Sequence, residues 1–198
     1  VYKRQLVLDV KTGNGAFMSD LARAEKLART MVEIGNDAGV RTRALITAMD
    51  VPLGLAVGNA IEVTESLEVL AGGGPADLIE LVIALANEML DIAGINADPR
   101  EAITSGREMD HWLRMVSAQG GDPDAPLPVA RHQHVITAPV AGPLSTLEAY
   151  GVGVAAWRLG AGRAHKEDEI IHGTGVQLHA KPGDMLSEGQ PIMTLLAD

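Results

Sequence analysis

The stretch from Asp9 to Met18 reads Asp-Val-Lys-Thr-Gly-Asn-Gly-Ala-Phe-Met, with two glycines around Asn14 and the chain's single phenylalanine at position 17. An apolar run, Leu6-Val7-Leu8, precedes it, and a helix-start signal, Ser19-Asp20, follows. The segment therefore reads as a loop joining a strand to a helix. In open α/β folds ligands collect at such junctions, because the loop backbone approaches them closely and the helix N-terminus offers unpaired N–H groups. Gly13 and Gly15 alone require no more than a tight turn. Phe17 adds chemistry: an aromatic on a polar glycine loop, in a chain with 3% aromatic residues, packs either into a core pocket or against a flat ligand. The spacing is not a phosphate fingerprint, since Gly13-x-Gly15 lacks the third glycine of the dinucleotide loop and no Lys-Ser/Thr follows.

Carboxylates form the second candidate. Glu62, Glu65 and Glu68 share one face of a helical segment, where like charges repel. A hard cation would relieve that repulsion, because such ions take backbone carbonyls together with one or two carboxylates. On its residue type and spacing alone, Glu65 reads first as an acid on a solvated helix face. Leu53 is otherwise an ordinary loop residue and Ala56 a small residue at a helix start. His132 and His134 flank Gln133, and His165, His172 and His179 recur at intervals of seven. Zinc needs three or four converging ligands. These histidines lie on separate predicted elements without Cys or Glu partners at ligand spacing, and read as exposed residues. The turn from Lys181 to Pro191 resembles those of lipoyl and biotinyl carrier barrels, but lacks the Met-Lys-Met or Asp-Lys-Ala triplet that presents a modified lysine.

The elements that must hold these residues follow from periodicity. Leu6 to Val10 reads as a strand. Leu21, Ala24, Leu27, Met31, Val32 and Gly35 recur at helical spacing until Gly39, and Val40 to Met49 reads as a second strand. This strand-loop-helix-strand unit is long enough for the right-handed crossover of parallel strands. After the loop Asp50 to Gly54, Val57 to Leu70 reads as mostly helical, and the Gly72-Gly73-Gly74-Pro75 tract breaks it. Ala76 to Ile92 is the clearest helix, with Leu78, Leu81, Val82, Leu85, Met89 and Ile92 as its stripe and Gly94 at its end. Shorter helices reach Gln119. Short β runs follow at Val135 to Ala138, Leu144 to Leu147, Val176 to Ala180 and Ile192 to Leu196, with a helix near Tyr150 to Leu159.

The expected fold class is thus α/β: a partial α/β sheet domain with helices over 6–120, a linker over 121–130, and a small C-terminal α+β domain over 131–198. Residues 1–5, a polar and basic lead-in to what reads as an interior strand, are taken as a non-native leader, with the chain cut at its start. With 198 residues, 46% of them hydrophobic, the chain has material for one sizeable core or two small ones. A net charge of −10 with no Lys/Arg cluster disfavours nucleic acid or an anionic membrane as partner. No apolar stretch approaches the ~20 residues that span a bilayer. The absence of cysteine removes any disulfide framework and suits a reducing cytoplasm.

Several separated segments together resemble the pyrimidine-nucleoside and thymidine phosphorylases. They are Asp9 to Met18, Ala48-Met49-Asp50 with Pro52-Leu53-Gly54, Gly58 to Val63, and Leu159-Gly160-Ala161-Gly162-Arg163. The resemblance implies salvage of pyrimidine nucleosides by phosphorolysis: thymidine and phosphate become thymine and 2-deoxyribose 1-phosphate. It implies a cytoplasmic homodimer with phosphate as co-substrate and a structural potassium ion. Carried over position by position, Phe17 matches the residue that packs on the pyrimidine ring. Leu53 and Ala56 match backbone-carbonyl ligands of the potassium ion, and Glu65 its carboxylate ligand. The family's Lys-His-Ser-Thr-Gly-Gly phosphate loop and its base-gripping Arg, Ser and Lys fall upstream of Leu6. The chain is therefore expected to be the C-terminal half or so of such an enzyme, with no catalytic residue of its own and no activity alone. Two alternatives stand beside this reading. One is a phosphoribosyltransferase of the anthranilate type, which shares the architecture but lacks a β domain after Pro128. The other is a lipoyl- or biotinyl-like carrier module built on Lys181.

Overall fold

The computed structural model describes residues 5–198, so the expected leader lies outside the described residues except at Gln5. Gln5 opens strand β1 (Gln5–Thr12) and pairs with Arg41 at the start of β2 (Arg41–Ala48). The two strands run parallel through Thr12 opposite Ala48, which requires the crossover supplied by helix α1 (Leu21–Asp37). Asp20 caps that helix, its carboxylate accepting the Arg23 N–H at 3.0 Å. The helix seats on the strands through its smallest residues: Ala24 and Ala28 are buried against Val10, with Leu8, Met18 and Ala44 around them. Leu21, Leu27 and Met31, which share the helical spacing with Ala24, are exposed. Alanines let the helix approach the strands closely and turn the larger side chains outward.

The next segment departs from expectation. Ala56–Gly58 is a strand, β3, and only from Ala60 does helix α2 (Ala60–Leu70) begin. Helices α3 (Ala76–Ala93), α4 (Pro99–Thr104) and α5 (Arg107–Ala118) follow, and residues 121–130 contain neither helix nor strand. In α3 the buried residues are Ile83 and Ile92, while Val82 and Met89 of the expected stripe are exposed.

The C-terminal portion contains β4 (His132–Thr137), β5 (Gly142–Pro143), α6 (Ala149–Ala156) with a π-turn over 157–161, β6 (Gly175–Leu178), β7 (Met185–Leu186) and β8 (Pro191–Ala197). One antiparallel sheet runs in the order β3-β6-β8-β4, and β5 pairs with β7. The edge strand β3 thus comes from the first half of the chain. Val176 and Leu178, essentially inaccessible, pack with Leu147, Val152 and Ala156, and Leu55 and Val57 close that core from across the chain. Leu144 to Leu147, expected as a strand, is not one: Leu144 donates to the Asp184 C=O and accepts from Gly183 N–H, both at 2.9 Å, in a single turn contact. Its apolar residues reflect burial of Leu147 rather than a ladder. Among the described residues no helix is long and apolar enough to cross a membrane.

Candidate functional site

The glycine loop closes on itself and on the end of β2. Thr12 bridges to Met18, Met49 N–H donates to Thr12 C=O at 2.6 Å, and Gly15 N–H donates to Met49 C=O at 2.9 Å. Gly13 adopts φ +118, and a Cβ there would lie 2.7 Å from the Asp50 carboxylate, so both conformation and space demand glycine. Asn14 binds the same residue twice: its N–H donates to Asp50 Oδ1 (3.0 Å) and its Nδ2 to the Asp50 C=O (2.9 Å). Phe17, carried on this closed loop, is fully exposed. Among the described residues no core pocket receives its ring, which stands exposed. Behind the loop, Lys11 Nζ lies 2.7 Å from Asp9 Oδ2 and 3.1 Å from the Thr47 hydroxyl, which itself donates to Asp9. This network sits at the C-terminal ends of both parallel strands, where an α/β sheet receives ligands.

The second cluster gathers around the loop 52–56. Glu65 is buried, at 8% exposure, so it does not lie on a solvated helix face. Its Oε1 accepts the Leu55 N–H at 2.7 Å, and the Ala56 N–H also binds its carboxylate. Gly54, at φ +66, leaves the space that the other carboxylate oxygen fills; a Cβ there would collide with it. Leu55 C=O accepts the Leu178 N–H at 2.7 Å, so the residue whose N–H Glu65 holds is also tied to the end of β6. Ala56 and Glu65 are in direct contact, while Leu53, on the same loop, is exposed. A cleft of about 230 Å³ opens beside Glu65, lined by Leu55, Ile61, Thr64, Glu68 and Gln177.

Burial raises the Glu65 pKa, and its backbone donors only partly offset this; Asp77 adds repulsion and Lys181 attraction. Asp77 behaves oppositely. Burial pushes its pKa up, but the hydrogen bond and charge of Lys181, with the N–H groups of Leu78 and Gly54, outweigh that and hold it below the usual carboxylate value. Lys181 Nζ reaches Asp77 Oδ2 at 2.7 Å and Pro52 C=O at 2.6 Å. A tethered cation from the far end of the chain thus holds Asp77 and the 52–56 loop, and among the influences on Glu65 it is the smallest. Glu62 finds a separate partner in the Gly58 N–H at 2.8 Å.

Sequence reasoning missed Asp77 and Lys181. Asp77 looks like an ordinary first-turn acid of α3, and in the sequence Lys181 stands out only for its place in a carrier-like turn. Its ammonium is engaged by Asp77 and Pro52, unlike the free tip a carrier presents. The histidines stay apart: His132 and His134 lie on β4, His165 pairs with Asp168, and His179 bonds Thr194 at 2.7 Å. No group of three or more His, Cys, Asp or Glu among the described residues converges as a metal site, so a cation here would depend on backbone carbonyls.

Two family models match the chain. Residues 3–111 match the model described as "Glycosyl transferase family, a/b domain", and residues 144–198 match "Pyrimidine nucleoside phosphorylase C-terminal domain". The first match begins inside the stretch read as a leader. A thymidine phosphorylase of Mycobacterium tuberculosis is 52% identical over 191 residues, covering 96% of this chain and 45% of the relative. A pyrimidine-nucleoside phosphorylase of Bacillus subtilis is 43% identical over 205 residues, covering 98% of this chain and 47% of the relative. Another of that name from Staphylococcus haemolyticus is 44% identical over 203 residues, with 96% and 47% covered. The chain spans a little under half the length of these curated relatives.

Proposed function

This chain belongs to the glycosyl transferase family through its α/β domain, and from that premise we propose that it works as part of a pyrimidine-nucleoside phosphorylase acting on thymidine. The observation that carries the proposal is Phe17: an aromatic that packs into no core of the described residues, held on a closed loop at the C-terminal ends of parallel strands. In thymidine phosphorolysis a phosphate oxygen forms a bond to the anomeric carbon while the bond from that carbon to the base nitrogen breaks, its electron pair leaving with the base. Phe17 would give the pyrimidine a flat apolar wall, restricting its orientation and excluding water from one of its faces. No residue of this chain is assigned to phosphate or to proton transfer.

The same reading includes a structural potassium ion at Leu53, Ala56 and Glu65. What supports it is the donor set: a buried carboxylate whose proton affinity is raised by burial, in contact with Leu55 and Ala56 of the 52–56 loop. Such a carboxylate is short of positive charge, and an ion held by oxygen donors would supply it. The ion's contribution would be to tie loop 52–56 to α2. Residues 6–120 then serve as the α/β domain and 131–198 as the C-terminal domain, joined by 121–130, with β3 as the strand the first lends to the second. The whole enzyme would be a cytoplasmic homodimer that does not bind nucleic acid, in keeping with an acidic chain without cysteine.

The anthranilate-type alternative has no counterpart to the domain matched over residues 144–198. A chimera decides the matter: the first half of the Mycobacterium relative joined to this chain should convert thymidine and phosphate to thymine and 2-deoxyribose 1-phosphate, while this chain alone should not. A folded chimera that binds thymidine but yields no sugar phosphate would defeat the proposal.

A further inference from the structure

Asn14 is bound on three sides. Besides its two bonds to Asp50, its Oδ1 accepts the Tyr150 N–H at 3.1 Å, in the first turn of α6 and 136 residues away in sequence. The neighbouring Ala149 N–H donates at 2.9 Å to the same Asp50 C=O that Asn14 Nδ2 binds. Gly15 lies hard against the same turn, since a Cβ on it would come within 2.8 Å of the Ala149 Cβ. The loop that carries Phe17 is therefore clamped between the end of β2 and a helix of the C-terminal portion.

From this geometry we infer that Asn14 is a positioning residue for Phe17, latching the aromatic-bearing loop to α6 so that the seating of the C-terminal portion sets where the ring stands. The inference rests on the reading of Phe17 as the wall of a pyrimidine pocket and adds how that wall is fixed. The side-chain type is explained by the task. One primary amide donates to the Asp50 carbonyl and accepts from Tyr150 at once. An aspartate would have nothing to donate and would set a second carboxylate against Asp50. The first two N–H groups of α6, of Ala149 and Tyr150, are engaged in the latch, so this turn anchors the loop.

Amide hydrogen exchange on the chain tests the latch without any ligand. Asn14→Ala should speed exchange from Gly15 to Met18 and from Ala149 to Val152 by about tenfold, as expected for losing local hydrogen bonds of ordinary strength, with β6 and β8 unchanged. Asn14→Asp should behave like Asn14→Ala. Parent-like exchange in the loop of Asn14→Ala overturns the inference, and so does acceleration shared equally by β6 and β8, the mark of general destabilisation. In the chimera, Asn14→Ala should raise the thymidine KM with kcat nearly kept, and adding it to Phe17→Ala should change nothing further, because it acts through that ring. An additive double variant overturns the positioning role. If Phe17→Ala alone leaves KM unchanged, the pyrimidine-wall reading fails, and exchange alone then decides the latch.

Discussion

Phe17 and Asp77 show how one side chain can be read only against what surrounds it. Phe17 has its whole ring in solvent, so its removal costs the fold little and should appear in ligand binding. In the phosphorolytic chimera, Phe17→Ala should weaken thymidine binding by roughly 1–3 kcal/mol, the value of burying or stacking an aromatic, read as a raised KM. Asp77 should appear in acid stability. Its folded pKa lies below the ordinary value, so its contribution is fully present above about pH 4 and is lost as pH falls through the lowered value. Asp77→Asn should flatten that part of the stability curve in urea unfolding between about pH 2 and pH 5. The amplitude should be about 1 kcal/mol or less, since the Asp77 side chain is 46% exposed. A variant whose curve keeps the parent's acid limb would show that the Lys181 pair contributes nothing there.

At the scale of elements, the loop 52–56 is the shared part. Glu65 of α2 holds its N–H groups, Lys181 holds Pro52, and Asp77 of α3 accepts the Gly54 N–H at 3.3 Å. If an ion joins them, the folded state alone binds it, and stability rises with its concentration. The protein should therefore melt at a higher temperature in potassium chloride than in sodium chloride of equal strength, and Glu65→Gln should erase the difference. Equal melting of the unmutated protein in both salts would dismiss the ion. Strand β3 makes a related point about cohesion. Leu178 is 1% exposed in a core that includes Leu55 and Val57. Leu178→Ala should cost about 2–5 kcal/mol, the range for a buried leucine, and should loosen α2 as well as β6 and β8 in hydrogen exchange. Exchange confined to the C-terminal strands would mean that the two portions open separately.

For the whole molecule, the seam matters more than either side of it. The C-terminal portion meets the first half through β3 on β6, through Lys181 on the 52–56 loop, and through α6 on the glycine loop, so both candidate sites lie where the two meet. A boundary drawn at 121–130 divides the chain in sequence but not in space. Activity belongs to the assembled enzyme in this account, and the chain without the complementary half should show no thymidine phosphorolysis above background. Turnover by the chain alone at a rate near that of the chimera would contradict it.

The order strand, glycine loop, helix, strand was legible in the sequence because each signal is local: apolar runs, the Asp20 cap, and breakers at Gly39, Gly72 and Gly94. The loop and its lone phenylalanine marked the candidate site for the same reason. Strand β3 was not legible, since three residues containing alanine and glycine have little β preference and become a strand only by pairing with Gly175 to Gln177, more than a hundred residues on. Which residues of α1 face the strands was not legible, because alanines, the weakest hydrophobic signal, form the contact. Whether Glu65 was a solvated or a buried acid turned on the same distant pairing, which folds loop 52–56 back over it. Asp77, Lys181 and the Asn14 latch follow that rule too. Local period names the elements, and the separated motif segments carry the likeness to a family; only the tertiary structure, by bringing remote donors to one carboxylate and one amide, decides which polar residues hold the site together.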